Sequence, residues 1–491
     1  MLGQVAPGLV EQEWEASELV TLELLVLEPV ALEPVVLELV VRGVVVPEPE
    51  VLEPVAQGLT ANELVAQEQW VPAQGQWKEK FSSEPHSPVF GIYQHPGTLY
   101  HFKVIVFYIL LSFRKCCFSN NLLLLQFLHI LWKSDAGYGV KSRVSAESMD
   151  CMQTLSKHPK AIDAVYFNLA NEEGWHLITG TAHRPHGVVN GFLYVKVPNV
   201  GLLMSPKLPD TMMFRNELER KDKYGAEGLV IAPFQPMRTW ELQYKGKMKS
   251  STDENKLFDV EINAVWNSEY QYFDYDTDMD PLCISRAMAL ETWSREYFQN
   301  VRSSHQTHYE QFGKLHGKVT VNGKQYTVKM DGVRDHSYGE KREWKNFHRY
   351  VLHYITLENG MKISAGIICA PLAFSRLEIG YVYQESGEPI PLNGCNLKLY
   401  QHGEGGTPPT HYGFSFEAGG MWYHVQVEIF ERSEFYIGWE WETRVVECLG
   451  NFKVNGVKGW GAAEWQYRHM GGRPDEVASS DPEWAKSIEK A

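Results

Sequence analysis

The segment Gly317-Lys-Val-Thr-Val321, Asn322-Gly323, Lys324-Gln-Tyr-Thr-Val-Lys-Met330 constrains the fold more than any other stretch of the chain. Apolar and polar residues alternate on both sides of the dipeptide, the period-2 pattern of half-buried strands. Asn-Gly supplies the positive φ angles of a two-residue type I′ turn, so the flanking runs are expected to pair as a hairpin. The same dipeptide recurs at Asn455-Gly456 inside Phe452–Trp460, and Glu358-Asn359-Gly360 joins Arg349–Leu357 to Met361–Ile368. Further strand-like runs lie at Gly191–Val197, Arg238–Lys245, Leu257–Trp266, Glu378–Tyr383, His411–Phe416, Trp422–Ile429 and Phe435–Thr443. Many short strands with regular turn signals predict an all-β sandwich or barrel. The stretch 160–470 is too long for one small barrel, so two β domains are expected, at 160–343 and 344–470. One helix is expected, at Ala287–Asn300, where Met288, Leu290, Trp293 and Tyr297 share a face.

The N-terminal part has a different character. Leu-Glu-Pro-Val occurs at 27–30, 32–35 and 52–55, and Pro29, Pro34, Pro47, Pro49 and Pro54 would break any helix there. Residues 1–98 therefore read as a disordered, low-complexity acidic extension. Residues 1–80 hold 14 Glu against Arg42, Lys78 and Lys80, which accounts for most of the formal charge of −15. The remainder is nearly neutral, and no basic face argues for nucleic acid. In the apolar segment 99–135, Val104–Phe113 and Leu122–Trp132 flank Arg114, Lys115, Cys116 and Cys117. Each run falls short of the roughly 20 residues of a spanning helix. Joined, they would place two cations near mid-bilayer at roughly 2.5–3.5 kcal/mol each. A cytoplasmic protein is expected, with membrane association open and a polar tail at 471–491. Seven scattered cysteines without a CxxC pair predict free thiols.

The residues that carry chemistry follow the hairpin. Asp331-Gly-Val-Arg-Asp-His-Ser-Tyr-Gly339 supplies Arg334, Asp335, His336 and Tyr338. In an extended chain Arg334, His336 and Tyr338 share one side, and Asp335 and Ser337 the other. A guanidinium, an imidazole titrating near neutrality and a phenol aimed into a barrel suit protonation or hydration of an alkene. The structural reading is preferred: Arg334 and Asp335 pair with separate partners and lock the two β domains together, while Gly332 and Gly339 permit bends. His176, His183 and His186 supply too few converging ligands for zinc. The run Asp274–Asp280 has Met279 where a calcium loop needs Gly, and Ser285 where it needs Glu. No metal or cofactor is assigned. Trp344, Trp439 and Trp441 are the candidate ligand-binding residues.

His308-Tyr-Glu-Gln-Phe-Gly313, the hairpin, and Gly332–Gly339 with Arg342 and Trp344 resemble one family. These motifs look like the double lipocalin-like proteins related to hydroxyneurosporene synthase (carotenoid 1,2-hydratase). Tocopherol-cyclase-like proteins and fungal cyclases of the Diels–Alderase type are kindred members. The likeness covers about 160–470, is specific at 308–344, and is closest to animal and bacterial members of unknown function. Tyr338 stands where the family often has Trp, and Glu343 where Asp is common. The resemblance implies two lipocalin-like antiparallel barrels, each wide enough for one small ligand. It also implies a phosphotransferase-like partner domain, because some animal relatives precede phosphoenolpyruvate-synthase-like regions. Two functional classes follow. The preferred one is a module binding an apolar small molecule or a partner domain, since no nucleophile–base set is visible. The alternative is a hydratase, cyclase or isomerase acting on a prenyl-like or fatty substrate at the domain interface. A further alternative is an accessory part of a phosphoenolpyruvate-synthase-like system without its catalytic regions.

Overall fold

Asn322 and Gly323 take φ of 47° and 81°, and Asn455 and Gly456 take 48° and 89°, so both Asn-Gly dipeptides form the tight turns expected of them. These angles come from a computed structural model that describes residues 90–119, 145–215, 222–383 and 387–476. The Leu-Glu-Pro-Val tract, the run Leu122–Trp132 and most of the polar tail lie outside the described residues. The β elements belong to one compact unit, residues 87–292 and 299–491.

The first sheet contains β1 (Ile162–Ala170), β2 (His176–His183), β3 (Val188–Val197), β4 (Gly201–Met204), β5 (Met212–Phe214) and β6 (Leu229–Gln235). It continues with β7 (Thr239–Ser250), β8 (Leu257–Asn267), β9 (Phe273–Asp274), β10 (Thr307–Val321) and β11 (Lys324–Gly339). Neighbours run β11-β1-β2-β3-β4-β7-β8-β10, and β10 pairs again with β11, which closes the ring. The second sheet is a closed antiparallel barrel of eight strands. Its strands are β12 (Arg349–Leu357), β13 (Lys362–Ala370), β14 (Phe374–Tyr383), β15 (Pro389–Cys395), β16 (His411–Ala418), β17 (Met421–Ile437), β18 (Thr443–Val454) and β19 (Val457–Arg468). The chain is all-β and lipocalin-like. Phe167, Leu177, Trp240, Trp266 and Leu315 belong to the core of the first barrel.

Burial along the strands shows how the barrels meet. On β8 buried and exposed positions alternate, so one face is in water. On β1, β2, β3, β12 and β13 nearly every position is buried. The outward faces of these strands lie in a seam against the other barrel. There Phe192 stacks on Phe435 with ring centres 4.0 Å apart, and Lys362 pairs with Asp331 at 2.7 Å.

Three elements differ from expectation. The run Phe435–Thr443 is not one strand, because β17 ends at Ile437 and Gly438 (φ 98°) and Trp441 (φ 52°) turn the chain into β18. The helix expected at Ala287–Asn300 is replaced by helices at Pro281–Leu290 and Arg295–Ser303. Glu291 turns extended at the end of the first, and its carboxylate accepts the Ser375 N–H at 2.7 Å. Val104–Phe113 lies within a helix, Tyr100–Ser119, that continues through Arg114 and Lys115. Among the described residues no helix is long and apolar enough to cross a membrane. Before that helix, Tyr93 is buried and donates to Glu404 at 2.9 Å.

Candidate functional site

Strand β11 passes between two polar clusters, and the period-2 alternation of its side chains assigns Arg334 and His336 to one and Asp335 to the other. The first cluster fills one region of the first barrel's interior. Arg334 Nη1 donates to Asp150 Oδ1 at 2.6 Å and Nη2 to Gln311 Oε1 at 3.0 Å. Its guanidinium lies 5.0, 5.2 and 5.3 Å from the ring centres of Trp240, Trp266 and Tyr309. Trp240 Nε1 donates to Asp150 Oδ2 at 3.0 Å. Burial alone would raise the Asp150 carboxyl, but Arg334, the Tyr309 hydroxyl and the Met237 N–H outweigh it and hold it below the ordinary carboxylate range.

His336 bridges Tyr309 (Nδ1, 2.8 Å) and Asp163 (Nε2, 2.6 Å). Tyr309 donates its proton to Asp150 at 2.7 Å, and Tyr224 donates to Asp163 at 2.9 Å. The Tyr224 hydroxyl lies a further 3.2 Å from Nε2, so both imidazole nitrogens are engaged. Arg334 lies against Asp150, and His336 against Asp163. All four side chains are fully buried. Tyr338 lies beside His336 with ring centres 5.1 Å apart, and burial pushes its hydroxyl up to about 12.

Arg334 thus pairs within its own barrel and does not lock the two barrels together. Gly332 is there for close approach rather than for a bend. A Cβ at that position would lie 2.0 Å from the carbonyl oxygen of Asn168 on the adjacent β1.

The second cluster is in the seam. Among the described residues the Asp335 carboxyl makes no hydrogen bond or ion pair, contrary to the expectation that it meets a partner of its own. Its carboxyl is pushed up to about 7 by burial and by Glu310 and Glu464, against the opposing pull of His308 and Arg342. Glu447 and Glu464 face each other across β18 and β19. Burial, and for Glu447 the neighbouring Glu464, raises both carboxyls. Tyr166 donates to Glu447 at 2.9 Å and accepts from Asn168 at 2.8 Å. Tyr350 donates to Glu464, and Ser364 to Glu310 at 2.9 Å. The interior cluster pairs Arg334 with Asp150, whereas the second cluster crowds Asp335, Glu310, Glu447 and Glu464 together, with His308 at 3.5 Å from Glu310.

A cleft opens at one end of the seam, lined by Lys160, Arg184, Arg342, Trp344, Trp439 and Glu442. Its free volume is about 20 Å³, the size of one small polar group. Trp344 and Trp439 therefore come together, from segments almost a hundred residues apart. Trp441 does not join them: it stacks on Tyr436 at 4.4 Å and donates to Asp210. A larger cavity of about 120 Å³ beside Phe192, Met213, Leu229 and Tyr244 has Lys207 and Glu227 paired with each other at 3.6 Å and Lys247 paired with Asp259 at 2.7 Å.

His176 and His183 stand at opposite ends of β2, and burial lowers them to about 3 and about 4. Among the described residues no group of His, Cys, Asp or Glu is arranged to hold a metal ion. Asp150, Asp163, Glu447, Glu464 and Arg184 were not singled out from the sequence. Glu447 carried a usable signal, an acid inside the apolar run Val445-Val446-Glu447-Cys448-Leu449.

Two eight-stranded lipocalin-like barrels joined by an acidic, tyrosine-rich seam define the class of protein. The chain belongs to a family of unknown function (DUF8627), whose model matches residues 79–467. No curated protein matches it. Solved structures similar to this chain include a Nitrosomonas europaea protein assigned as AttH, at 10% identity and a TM-score of 0.43, covering 64% of this chain and 95% of that one. Kievitone hydratase from Nectria haematococca is similar at 10% identity and a TM-score of 0.37, with coverage of 68% and 96%. CghA is similar at 10% identity and a TM-score of 0.41, with coverage of 70% and 97%.

Proposed function

We propose that the chain binds a partly apolar small molecule in the cleft between its barrels. One observation carries this reading: Trp344 and Trp439 line a single cleft with three cationic side chains. The interior of the first barrel supports it indirectly, since Arg334 and His336 are already bonded there and leave no open reactive group. Aromatic walls with a few convergent polar groups are the usual composition of a ligand site. Native mass spectrometry of the chain purified from its own cells tests the proposal. A co-purified mass is expected on the wild type and absent from Trp344→Ala and Trp439→Ala. A mass retained by both variants would rule the cleft out.

A second reading is favoured by Asp335. An unbonded carboxyl near pH 7 is matched to proton transfer at neutral pH. Arg342, which lines the cleft, also bears on Asp335 electrostatically. On this reading the seam protonates an unsaturated substrate, and the reaction is a hydration, cyclisation or isomerisation. Asp335→Asn should then carry the substrate form of the co-purified ligand, and the wild type the product form. Identical ligands on both would leave binding alone.

A further inference from the structure

We infer, resting on the cleft as the binding site, that its ligand carries an oxyanion head, a carboxylate or a phosphate, held between Arg184 and Arg342. Arg184 is 8% exposed, and its guanidinium donates only to neutral acceptors: Asn190 Oδ1 at 3.1 Å and the carbonyls of Lys160 and Ala161 at 3.3 and 3.4 Å. Arg342 likewise donates to Gln306 Oε1 at 2.6 Å and Ser337 Oγ at 2.8 Å. Neither arginine forms an ion pair among the described residues. Lys160, the third cation, is paired with Glu343 at 3.2 Å.

Arg184, buried with no ion-pair partner among the described residues, carries a desolvation cost that Glu442 offsets only in part. Burial first, and then the nearby Arg342, pulls Arg184 down to about 9, while Glu442 acts the other way. Burial lowers Arg342 as well, against the opposing pull of Asp335, Tyr350 and Glu464. Two guanidiniums that repel each other across a cleft attract an anion bound between them, and their planar forks match carboxylate and phosphate oxygens. Trp344 also lines the cleft, its ring 5.2 Å from the Arg342 guanidinium. The free volume of about 20 Å³ fits a head group rather than a whole ligand. The apolar body then lies along Trp344 and Trp439. Glu442 also lines the cleft and pulls on Arg184.

The full chain is titrated with dodecanoate, dodecyl phosphate and dodecanol, each below its micelle concentration, with tryptophan fluorescence as the readout. The two anions are expected to bind at least roughly tenfold more tightly than the alcohol, the effect of one or two charge-assisted hydrogen bonds. Whichever anion binds more tightly identifies the head. Arg342→Gln and Arg184→Gln should remove that preference and leave dodecanol unchanged, while Arg342→Lys keeps part of it. If the buried Arg184→Gln variant does not fold, Arg342→Gln, at the partly exposed position, decides alone. Equal affinity for all three probes, lost in Trp344→Ala, would overturn the anion and keep the cleft. An anion preference that survives Arg342→Gln also overturns the inference. If none of the probes binds, the cleft reading falls with it.

Discussion

The interior cluster and the seam cluster share strand β11, and they treat charge in opposite ways. Arg334 and His336 point into a site where Asp150 and Asp163 meet them at 2.6 Å. Asp335, between them in sequence, points into a site whose nearest acidic neighbours are Glu310 and Glu464. A motif of adjacent charged residues thus divides into a fully bonded structural network and one in which acids predominate. Perturbed acids without fixed partners are the better marker of a functional surface.

The largest effect expected from this difference is on the interior side. Arg334→Ala strands Asp150 in a dry site and should cost about 3–5 kcal/mol. A urea midpoint close to wild type would mean that the network is dispensable. His336→Ala leaves Asp163 with Tyr224 and the Gln153 N–H as remaining donors, so about 1.5–3 kcal/mol is expected by the same measurement.

On the seam side the pH dependence has the opposite sign. Asp150 has a depressed pKa in the fold, so its contribution is present above about pH 4 and is lost as pH falls. Asp335 has a raised pKa, so the folded state holds a proton that the unfolded chain releases. Its contribution is complete below about pH 4 and is lost as pH rises to about 7. Asp335→Asn should therefore flatten the fall in stability between about pH 4 and about pH 7, and at the upper end stabilise the fold by on the order of 1–2 kcal/mol. Urea unfolding across that range measures both, and an unchanged slope would remove Asp335 from the acidic cluster. Tyr166→Phe deletes the hydrogen bond to Glu447 and the one accepted from Asn168, and should cost about 1–2 kcal/mol. A loss as large as that of Arg334→Ala would show that the seam is as rigidly specified as the interior.

Much of this division was legible in the motif. Period-2 alternation separates Arg334, His336 and Tyr338 from Asp335 and Ser337 without any coordinates. Their partners were not legible. Asp150 lies 184 positions before Arg334 and belongs to no patterned segment. Arg184 sits inside His183-Arg-Pro-His186, where the histidines drew attention and the guanidinium between them did not. Glu447 and Glu464 become neighbours only through the pairing of β18 with β19.

The sequence by itself determined the local geometry: hairpins at Asn322-Gly323 and Asn455-Gly456, strand character, an all-β chain, and which side of β11 each side chain takes. These follow from backbone sterics and the two-residue period of an extended chain, which act over a few neighbours. Only the tertiary structure decided that β1 to β3, β12 and β13 are buried on both faces, because that depends on one barrel covering the other. It also decided the chemistry. Whether a carboxyl is paired like Asp150 or crowded like Asp335 depends on charges and desolvation supplied by strands far apart in sequence, and electrostatic energies follow distance in space rather than along the chain.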